Sequence, residues 1–344
     1  MADSQSEDRA LLVAAAQIGK RFRGPRAIIY WLDMLASITV GYCAFGAMAA
    51  GVGAEGGILA AAILFCLCTL ALYRAESFIH ELTHIPFKRM PGFYVGWNLL
   101  VGIPLLTPSF LYEGVHNQHH LRTAYGTARD PEYLPLGGAG WLRVAGFVAV
   151  AALAPVGLLL RFALLAPLSL IIPPLRRVVV ARFSSLAINP AYVRQVPSGM
   201  FRLRWNLLEL AASAWALGLL ALVEAGILPW RIFLLGCAVM SAVALINQIR
   251  TLAAHLWQNH DGETMSLTDQ FLDSVNVPPP GWLPAVWAPV GLRYHALHHL
   301  LPSLAYHDLG RAHAMLCDHL ASRATYSRSN HPGLWQAMRS WVGK

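Results

Sequence analysis

Histidines are concentrated in three short motifs of this sequence. HELTH spans residues 80–84, HNQHH spans 116–120 and HALHH spans 295–299, and together they hold eight of the 14 histidines. On a helix, residues three and four apart share a face, whereas adjacent residues point about 100° apart. One short turn can therefore present imidazoles to two neighbouring metal ions. Imidazole suits iron, zinc, copper and nickel, whereas calcium and magnesium prefer oxygen ligands.

A single histidine near a membrane helix end is more often a core or interface residue than a metal ligand. We apply that interpretation to His260, His307, His313, His319 and His331. The clustered histidines differ, because packed imidazoles without a metal compete for few acceptors or repel when charged. Together with His255, which follows the last apolar run, nine histidines exceed the three or four that one zinc ion takes. They suit two iron ions with positions left for oxygen or water.

The composition is typical of an integral membrane protein. Of the 344 residues, 56% are hydrophobic and only 13% are charged, whereas soluble domains carry about 25% charged residues. The mean hydropathy is +0.48. The net charge of +8 is scattered between apolar runs without an aromatic-basic module, which argues against nucleic-acid binding. The five cysteines show no zinc or disulfide spacing and are interpreted as buried structural thiols. The polar N-terminus is not a cleavable signal peptide.

Four apolar runs are long enough to cross a bilayer, which takes about 20 residues. They span residues 27–52, 58–73, 206–223 and 230–249. The second helix has no breaker before Pro86 and should continue through the first motif. The run 93–112 is interrupted by glycine and proline and is predicted to be interfacial or re-entrant. The run 144–175 is either a hairpin of two short spans or an amphipathic pair in the interface. The polar stretch that follows the second motif is interpreted as a turn at Asp130-Pro131.

These features predict an all-α integral membrane protein with four main transmembrane helices, extra interfacial or re-entrant helices and a cytoplasmic histidine-rich cap. We expect a single domain over residues 1–344, with the cap including 250–344. The positive residues before the first span place the N-terminus in the cytoplasm. Both termini and all the histidine clusters then lie on the cytoplasmic side, as expected for a bacterial inner-membrane protein.

The three motifs, in this order and with this layout, resemble the membrane-bound fatty acid desaturase and hydroxylase superfamily, whose pattern is HxxxH, HxxHH and HxxHH. The resemblance covers about residues 30–320, and the stretches 108–116 and 247–255 look like those of bacterial acyl desaturases. It implies a non-heme di-iron site. Carried over by position, the ligands are His80, His84, His116, His119, His120, His255, His295, His298 and His299.

The chemistry implied by the resemblance is O2-dependent oxidation of an unactivated C–H bond. Our first interpretation is desaturation of an acyl chain, with hydroxylation on the same scaffold as the alternative, since both can use the same ligands. The substrate would be an acyl-lipid or acyl-thioester, but the short first motif does not assure acyl-CoA. Thr251, one turn before His255, takes the place of an asparagine that contacts a metal-bound water in some animal relatives.

Electrons must come from a separate donor such as a ferredoxin, a rubredoxin or a cytochrome b5-like protein. His331-Pro332-Gly333 is similar to a cytochrome b5 motif, but too few residues follow it for such a domain. A positive surface for an acidic donor, or for lipid headgroups, is offered by Arg176, Arg177, Arg202 and Arg204.

Several neighbours of the motifs are candidates for supporting roles. Acidic side chains that could accept a hydrogen bond from an imidazole, or simply be solvated, are Glu81, Glu113, Asp261 and Asp269. Aromatic side chains that could line a substrate tunnel, or form an interfacial belt, are Trp97, Tyr112, Trp257 and Tyr294.

Two other classes of protein remain as alternatives. HELTH also matches the HExxH motif of zinc metallopeptidases, but an intramembrane protease would leave most of the clustered histidines unused. A metal or heme transporter would place its ionisable residues near the bilayer midplane, whereas these clusters lie beyond the ends of the spans.

Overall fold

The computed structural model describes residues 2–52, 56–320, 325–333 and 336. Over these ranges the chain is helical, and extended pairing is limited to three isolated bridges. The prediction of an all-α membrane protein is confirmed. The predicted turn between the first two spans falls largely on residues 53–55, and the end of the predicted cap falls on 337–344, outside the described residues.

The helices are numbered in chain order. Those of the first half are α1 (Ala2–Gly19), α2 (Ala27–Ala49), α3 (Gly57–Glu76), α4 (Phe78–His84), α5 (Pro91–Trp97), α6 (His116–His119), α7 (Trp141–Ala149), α8 (Ala154–Leu159), α9 (Ala166–Ile171) and α10 (Pro173–Arg182). Those of the second half are α11 (Gly199–Glu224), α12 (Trp230–Ala254), α13 (Leu267–Asp273), α14 (Pro284–Trp287), α15 (His295–Leu300) and α16 (Tyr306–His319).

Five helical segments among the described residues are long and apolar enough to cross a membrane. The helices α2, α11 and α12 correspond to three predicted spans. The helices α3 and α4 form one apolar run, Gly57–His84, so the second span continues into the first histidine motif as its lack of a breaker predicts. The fifth segment, Trp141–Ile171, is the stretch for which the sequence left two alternatives.

The stretch Trp141–Ile171 contains α7, α8 and α9, joined by one 3-10 and one π-helical turn. Side chains of α12 donate to its backbone: Gln248 to the Phe147 carbonyl at 2.9 Å and Ser241 to the Ala152 carbonyl at 2.7 Å. The stretch therefore runs antiparallel to α12: its first part lies beside the C-terminal end of α12, and its later part lies nearer the middle of that helix. After α10, the Leu186 N–H donates to the carbonyl of Leu111, shortly before the second histidine motif. The chain therefore returns to the side of the protein that carries this motif, as both predicted alternatives require.

The interrupted run 93–112 folds back on itself. Asn98 donates to the carbonyl of Tyr94 and to the hydroxyl of Ser109, while its own oxygen accepts the Ser109 N–H. The close approach needs glycine at position 102, where an added Cβ would lie 2.7 Å from the ring of Trp97. This reversal is compatible with the predicted interfacial or re-entrant segment.

The N-terminal helix and the cap share one apolar core. Leu11, Ala14 and Ile18 of α1 pack with Ala312 and Leu316 of α16. The same cluster contains Ala296 and Leu297, so it packs against the third histidine motif.

The expectation that the cysteines are buried was wrong for most of them. Of the five, Cys68 is buried, Cys237 is intermediate and Cys43, Cys66 and Cys317 are exposed. Cys43 and Cys66 lie in apolar helices that could cross the membrane, and an apolar run there does not imply burial, because its outer face contacts lipid rather than protein. Cys317 lies on the cap helix α16 instead.

Candidate metal centre

Four segments that are distant in sequence bring their histidines together. The helix α4 carries the first pair, α6 and the residue after it carry the second motif, and α15 carries the third. His255 directly follows α12 in extended conformation and pairs with Ser274 in an isolated bridge. Two residues later the backbone of Trp257 has a positive φ of 59°, and its ring lies 5.1 Å from that of His255.

The nine histidines divide into two groups that could each hold a metal ion. The first group is His80, His84, His116, His120 and His298, and the second is His119, His255, His295 and His299. In each group one nitrogen per ring lies within 4.8 Å of all the others. Both adjacent pairs, 119/120 and 298/299, are split between the groups, because neighbouring side chains on a helix diverge by about 100°. One turn of each motif therefore serves two sites.

The spacing of the ring nitrogens fits metal coordination. Nε2–Nε2 distances are 3.0 Å for His116–His120 and for His84–His298, and 3.1 Å for His120–His298. In the second group His295 lies 3.0 Å from His255 and 3.1 Å from His299. Ligands at right angles around a metal about 2.1 Å away are separated by about 3.0 Å, whereas a tetrahedral site gives about 3.4 Å. The observed distances between ring nitrogens therefore agree with octahedral-like sites.

Each group also contains a buried nitrogen that needs a partner. The Nε2 atoms of His80 and of His119 are buried and have no hydrogen-bond partner among the described residues. Burying an unsatisfied polar atom is costly, and a metal ion in each group would satisfy it. The residues present therefore fit a pair of metal ions held by imidazole alone, a donor set that suits iron, copper, nickel or zinc.

The opposite ring nitrogens are held by acidic and phenolic groups. His119 Nδ1 lies 2.9 Å from Asp130, and His116 Nδ1 lies 2.8 Å from Glu132 and 3.0 Å from the Tyr112 hydroxyl. These contacts fix the tautomer that aims Nε2 inward and raise the basicity of the ring. The sequence indicates only a turn at Asp130-Pro131.

His255 is oriented in the same way from another part of the chain. The Tyr125 hydroxyl lies 2.9 Å from His255 Nδ1 and donates to Asp273 at 2.9 Å. Tyr125 and Asp273 lie far from His255 in sequence, and no local motif marked them.

The electrostatic environment keeps most of the histidines neutral, which is the form that binds a metal. Burial, followed by the neighbouring imidazoles, lowers the pKa of His116, His120 and His299 well below its usual value. Burial also acts to lower the pKa of His119, but the adjacent Asp130 outweighs it, so that pKa is raised. Burial raises the pKa of Glu132 to about 7.

The acidic candidates from the sequence contact other partners. Glu81 accepts hydrogen bonds from the Tyr30 hydroxyl and the Tyr306 N–H, and its oxygen is 3.6 Å from His80 Nδ1, too far for a hydrogen bond. The next residue in a helix points away from its neighbour, so proximity in sequence was misleading. This orientation also removes the carboxylate that a zinc peptidase would need beside its metal.

The remaining acidic candidates lie away from the imidazoles. Glu113 accepts from the Tyr94 hydroxyl and from Arg204, both at 2.7 Å. Asp269 accepts from the hydroxyl of the residue that caps α13, and the exposed Asp261 accepts from a backbone N–H two residues later at 3.4 Å. None of these contacts involves a histidine.

A cavity of about 470 Å³ opens beside the first group, and His80 lines it. Of the four aromatic tunnel candidates, Tyr112 lines the cavity, as does Thr251. The others occupy packed positions: Trp97 donates to the Ala75 carbonyl and Trp257 to the Leu252 carbonyl, and Tyr294 packs against His313. Much of the remaining wall comes from α3, α12 and the α7–α8 stretch, and the segments at 105–107, 132, 186–188 and 292 complete it.

The five isolated histidines stay outside both groups. His307 accepts the Arg26 N–H, and His313 contacts the Tyr326 hydroxyl at 2.7 Å. These contacts agree with a structural role for His307 and His313.

Comparison with known proteins agrees with this geometry. The family model described as "Fatty acid desaturase" matches residues 56–329. The chain is 48% identical to a ceramide hydroxylase of Caulobacter vibrioides, over 97% of this chain and 93% of that protein. No solved structure gives a significant match. Two histidine groups between membrane helices thus coincide with a family match over most of the chain, and the protein belongs to the fatty acid desaturase family, as an oxidoreductase that acts on lipids.

Proposed function

We propose that the protein is an O2-dependent di-iron hydroxylase of ceramide or a closely related sphingolipid. The observation that carries the proposal is the division of nine imidazoles into two groups with right-angled nitrogen spacing, beside a cavity that reaches one of the ligands. The relative named a ceramide hydroxylase supports the reaction and the substrate class. The sequence alone had favoured desaturation.

Two bound irons would supply the activation of O2. The net reaction converts a C–H bond, O2, two electrons and two protons into a C–OH group and water. The protein contributes three things: nine imidazoles that hold the metals, buried acceptors that fix the imidazoles, and an apolar cavity that holds the lipid and excludes water.

Desaturation remains the second candidate because the family match includes desaturases by name. The same co-substrates would then remove two hydrogen atoms from adjacent carbons and give a double bond and two waters. The ligand sets of the two reactions can be identical, so the product distinguishes them.

The two electrons must come from a separate protein, for which a ferredoxin, a rubredoxin and a cytochrome b5-like carrier are the candidates. The positive surface suggested by the sequence is smaller than expected. Arg176 is paired with Glu209 and Arg204 with Glu113, each at 2.7 Å. The long-range attraction for an acidic donor therefore rests on the exposed Arg177 and Arg202, which could equally contact anionic lipid headgroups. The positive residues before α2 support a cytoplasmic active site in a bacterial inner membrane.

The test is to purify the full chain from iron-supplemented cells and measure its metals. Two iron ions per chain are expected, and a single zinc ion would refute the di-iron proposal. The holoenzyme is then incubated with ceramide, O2 and a chemical or protein reductant, and the lipid is analysed by mass spectrometry. Gain of one oxygen atom supports hydroxylation, loss of two hydrogen atoms supports desaturation, and unchanged ceramide refutes the assignment of the substrate. A variant with His120 replaced by alanine is the matched inactive control.

A further inference from the structure

The cavity beside the first histidine group changes character along α12. Met240, Val243, Ala244, Asn247 and Thr251 line it, at the three- and four-residue spacing of one helix face. From the first to the last is eleven residues, or about 16 Å of helix rise. The far end of this face is apolar, and the end nearest the metal groups is polar.

The wall of the cavity opposite α12 is also apolar away from the metal groups. The α7–α8 stretch, which runs antiparallel to α12, contributes apolar side chains, among them Val150, Ala151, Ala154 and Leu158. A lipid chain can lie between these two helices. The polar part of the lipid must then face the end that carries His80.

The polar end of the cavity, defined by Glu76, Asn247 and Arg250, lies next to the metal ligands. Glu76 is one helical turn before His80 and also lines the cavity. Arg250 donates from Nη2 to the Asn247 side chain at 2.9 Å. Its Nε is buried and has no hydrogen-bond partner within the described part of the chain. A buried, unpaired donor of a charged group is costly, and a ligand acceptor in the cavity would satisfy it.

The chemistry of the polar end indicates what it can bind. Arginine only donates hydrogen bonds, an ionised carboxylate only accepts them, and an amide side chain does both. One positive side chain, Arg250, and two acidic ones, Glu76 and Glu132, line the cavity, and this set favours an uncharged ligand group over a carboxylate or a phosphate. A ligand with a carbonyl, an N–H and hydroxyls within a few atoms matches this set, and an amide next to hydroxyl groups is the polar part of a ceramide. A bare acyl chain passing the metals would leave these groups unsatisfied.

We propose that Glu76, Asn247 and Arg250 bind the amide and hydroxyl groups of the lipid and thereby direct oxidation to a carbon within a few bonds of them. The inference rests on the proposed function and extends it, because it specifies which part of the ceramide reaches the metals. The apolar end between α12 and α7–α8 then holds a hydrocarbon chain that is not oxidised. An enzyme acting at the middle of an acyl chain would instead need apolar walls on both sides of the metals.

The first test locates the new oxygen in the product of the wild-type holoenzyme by tandem mass spectrometry of a saturated ceramide. The expected position is close to the amide, on the long-chain base or at the start of the N-acyl chain. Oxidation in the middle or near the methyl end of either chain would overturn the inference and leave the proposed function intact. Absence of any ceramide oxidation would overturn both.

The second test measures ceramide binding to the full chain in nanodiscs or detergent, and therefore does not depend on turnover. We expect Arg250→Met to weaken the binding of ceramide by about tenfold to a hundredfold, the value of one hydrogen bond to a charged group. Arg231→Met, at an exposed arginine near the start of the same helix α12, is the matched control and should bind as the wild type does.

A third comparison separates recognition from general damage. A ceramide analogue without the 1-hydroxyl group should lose affinity for the wild type, and the Arg250→Met and Asn247→Leu variants should discriminate less between the two lipids. Iron content and retention on size-exclusion chromatography report whether each variant is folded. A folded Arg250→Met variant that binds both lipids as tightly as the wild type does would refute the role of the polar end.

Discussion

Replacing Asp130 by asparagine should weaken one metal group and spare the other. Asp130 is fully buried and its two oxygens accept three N–H groups: His119 Nδ1 at 2.9 Å and the backbone N–H groups of Gly126 and Glu132, both at 2.8 Å. An asparagine has one acceptor oxygen, so its NH2 group must face at least one of these donors. The substitution therefore removes a charge-assisted hydrogen bond and adds a clash between donors.

The magnitude follows from the value of such bonds. A hydrogen bond to a charged group contributes about 1.5–3 kcal/mol, and loss of an outer hydrogen-bond partner of a metal ligand costs about tenfold to a hundredfold in metal affinity. Because His119 belongs to the second group, we expect iron per chain to fall from two towards one as a chelator is titrated, while the first group keeps its metal.

Glu132→Gln provides the reciprocal experiment. Glu132 contacts His116, a member of the first group, so this variant should lose the other iron. The double variant should lose both, and its effect should depart from the sum of the two single effects, because Asp130 accepts the Glu132 N–H and residues in contact are coupled. Asp269→Asn is the control, because its exposed carboxylate contacts only a helix cap. The reasoning is refuted if Asp130→Asn resists the chelator as well as the wild type does, or if the single variants deplete the same site.

Three further predictions concern stability and metal dependence. Tyr30→Phe removes the hydroxyl that donates to the buried Glu81 and should destabilise the protein by about 1–3 kcal/mol, measured as a lower thermal unfolding temperature. If Tyr30→Phe destabilised a Glu81→Gln variant by the same amount, the energetic coupling between Tyr30 and Glu81 would be contradicted. Gly102→Ala places a methyl group 2.7 Å from Trp97 and should lower the free energy of unfolding by about 1–3 kcal/mol, measured by the same assay. Gly218→Ala is the control: nothing lies within 4 Å of the new Cβ, so it should not lower the unfolding temperature. Removing the metals with a chelator should abolish product formation, and added ferrous iron, but not zinc, should restore it; recovery with zinc alone would contradict redox chemistry.

The supporting residues show where inference from the sequence fails. Glu81 is adjacent to a ligand in sequence, yet its carboxylate is held by Tyr30 and Tyr306. Asp130 and Tyr125 hold ligands, yet nothing in their local sequence marks them. A hydrogen-bond partner is chosen by direction and distance in space, and a loop that leaves a helix can return its side chains to the same ring.

Three of the four aromatic tunnel candidates do not line the cavity, for a related reason. Trp97, Trp257 and Tyr294 are close to the motifs in sequence, but they pack into the core or against the cap, while Tyr112 reaches the cavity. An aromatic side chain near a histidine can equally fill a core or line a channel, and only the surrounding helices decide which. The cavity is instead lined largely by small and aliphatic residues of α12 and α7–α8, whose composition is ordinary for a membrane helix.

The amino-acid sequence by itself determined the class of the protein and the eight histidines of the three motifs, because apolar length and helical spacing are local properties. His255 was added by its position after the last apolar run and by the family resemblance. The division of those histidines into groups of five and four was decided by the tertiary structure. Adjacent histidines diverge around one helix turn, and the site that each joins depends on which distant segment lies opposite: α4 for His120, and the residue after α12 for His119. Only the packing of the helices sets that arrangement, since His84 and His120 are 36 residues apart, His119 and His255 are 136 residues apart, and no local pattern relates the directions of these segments.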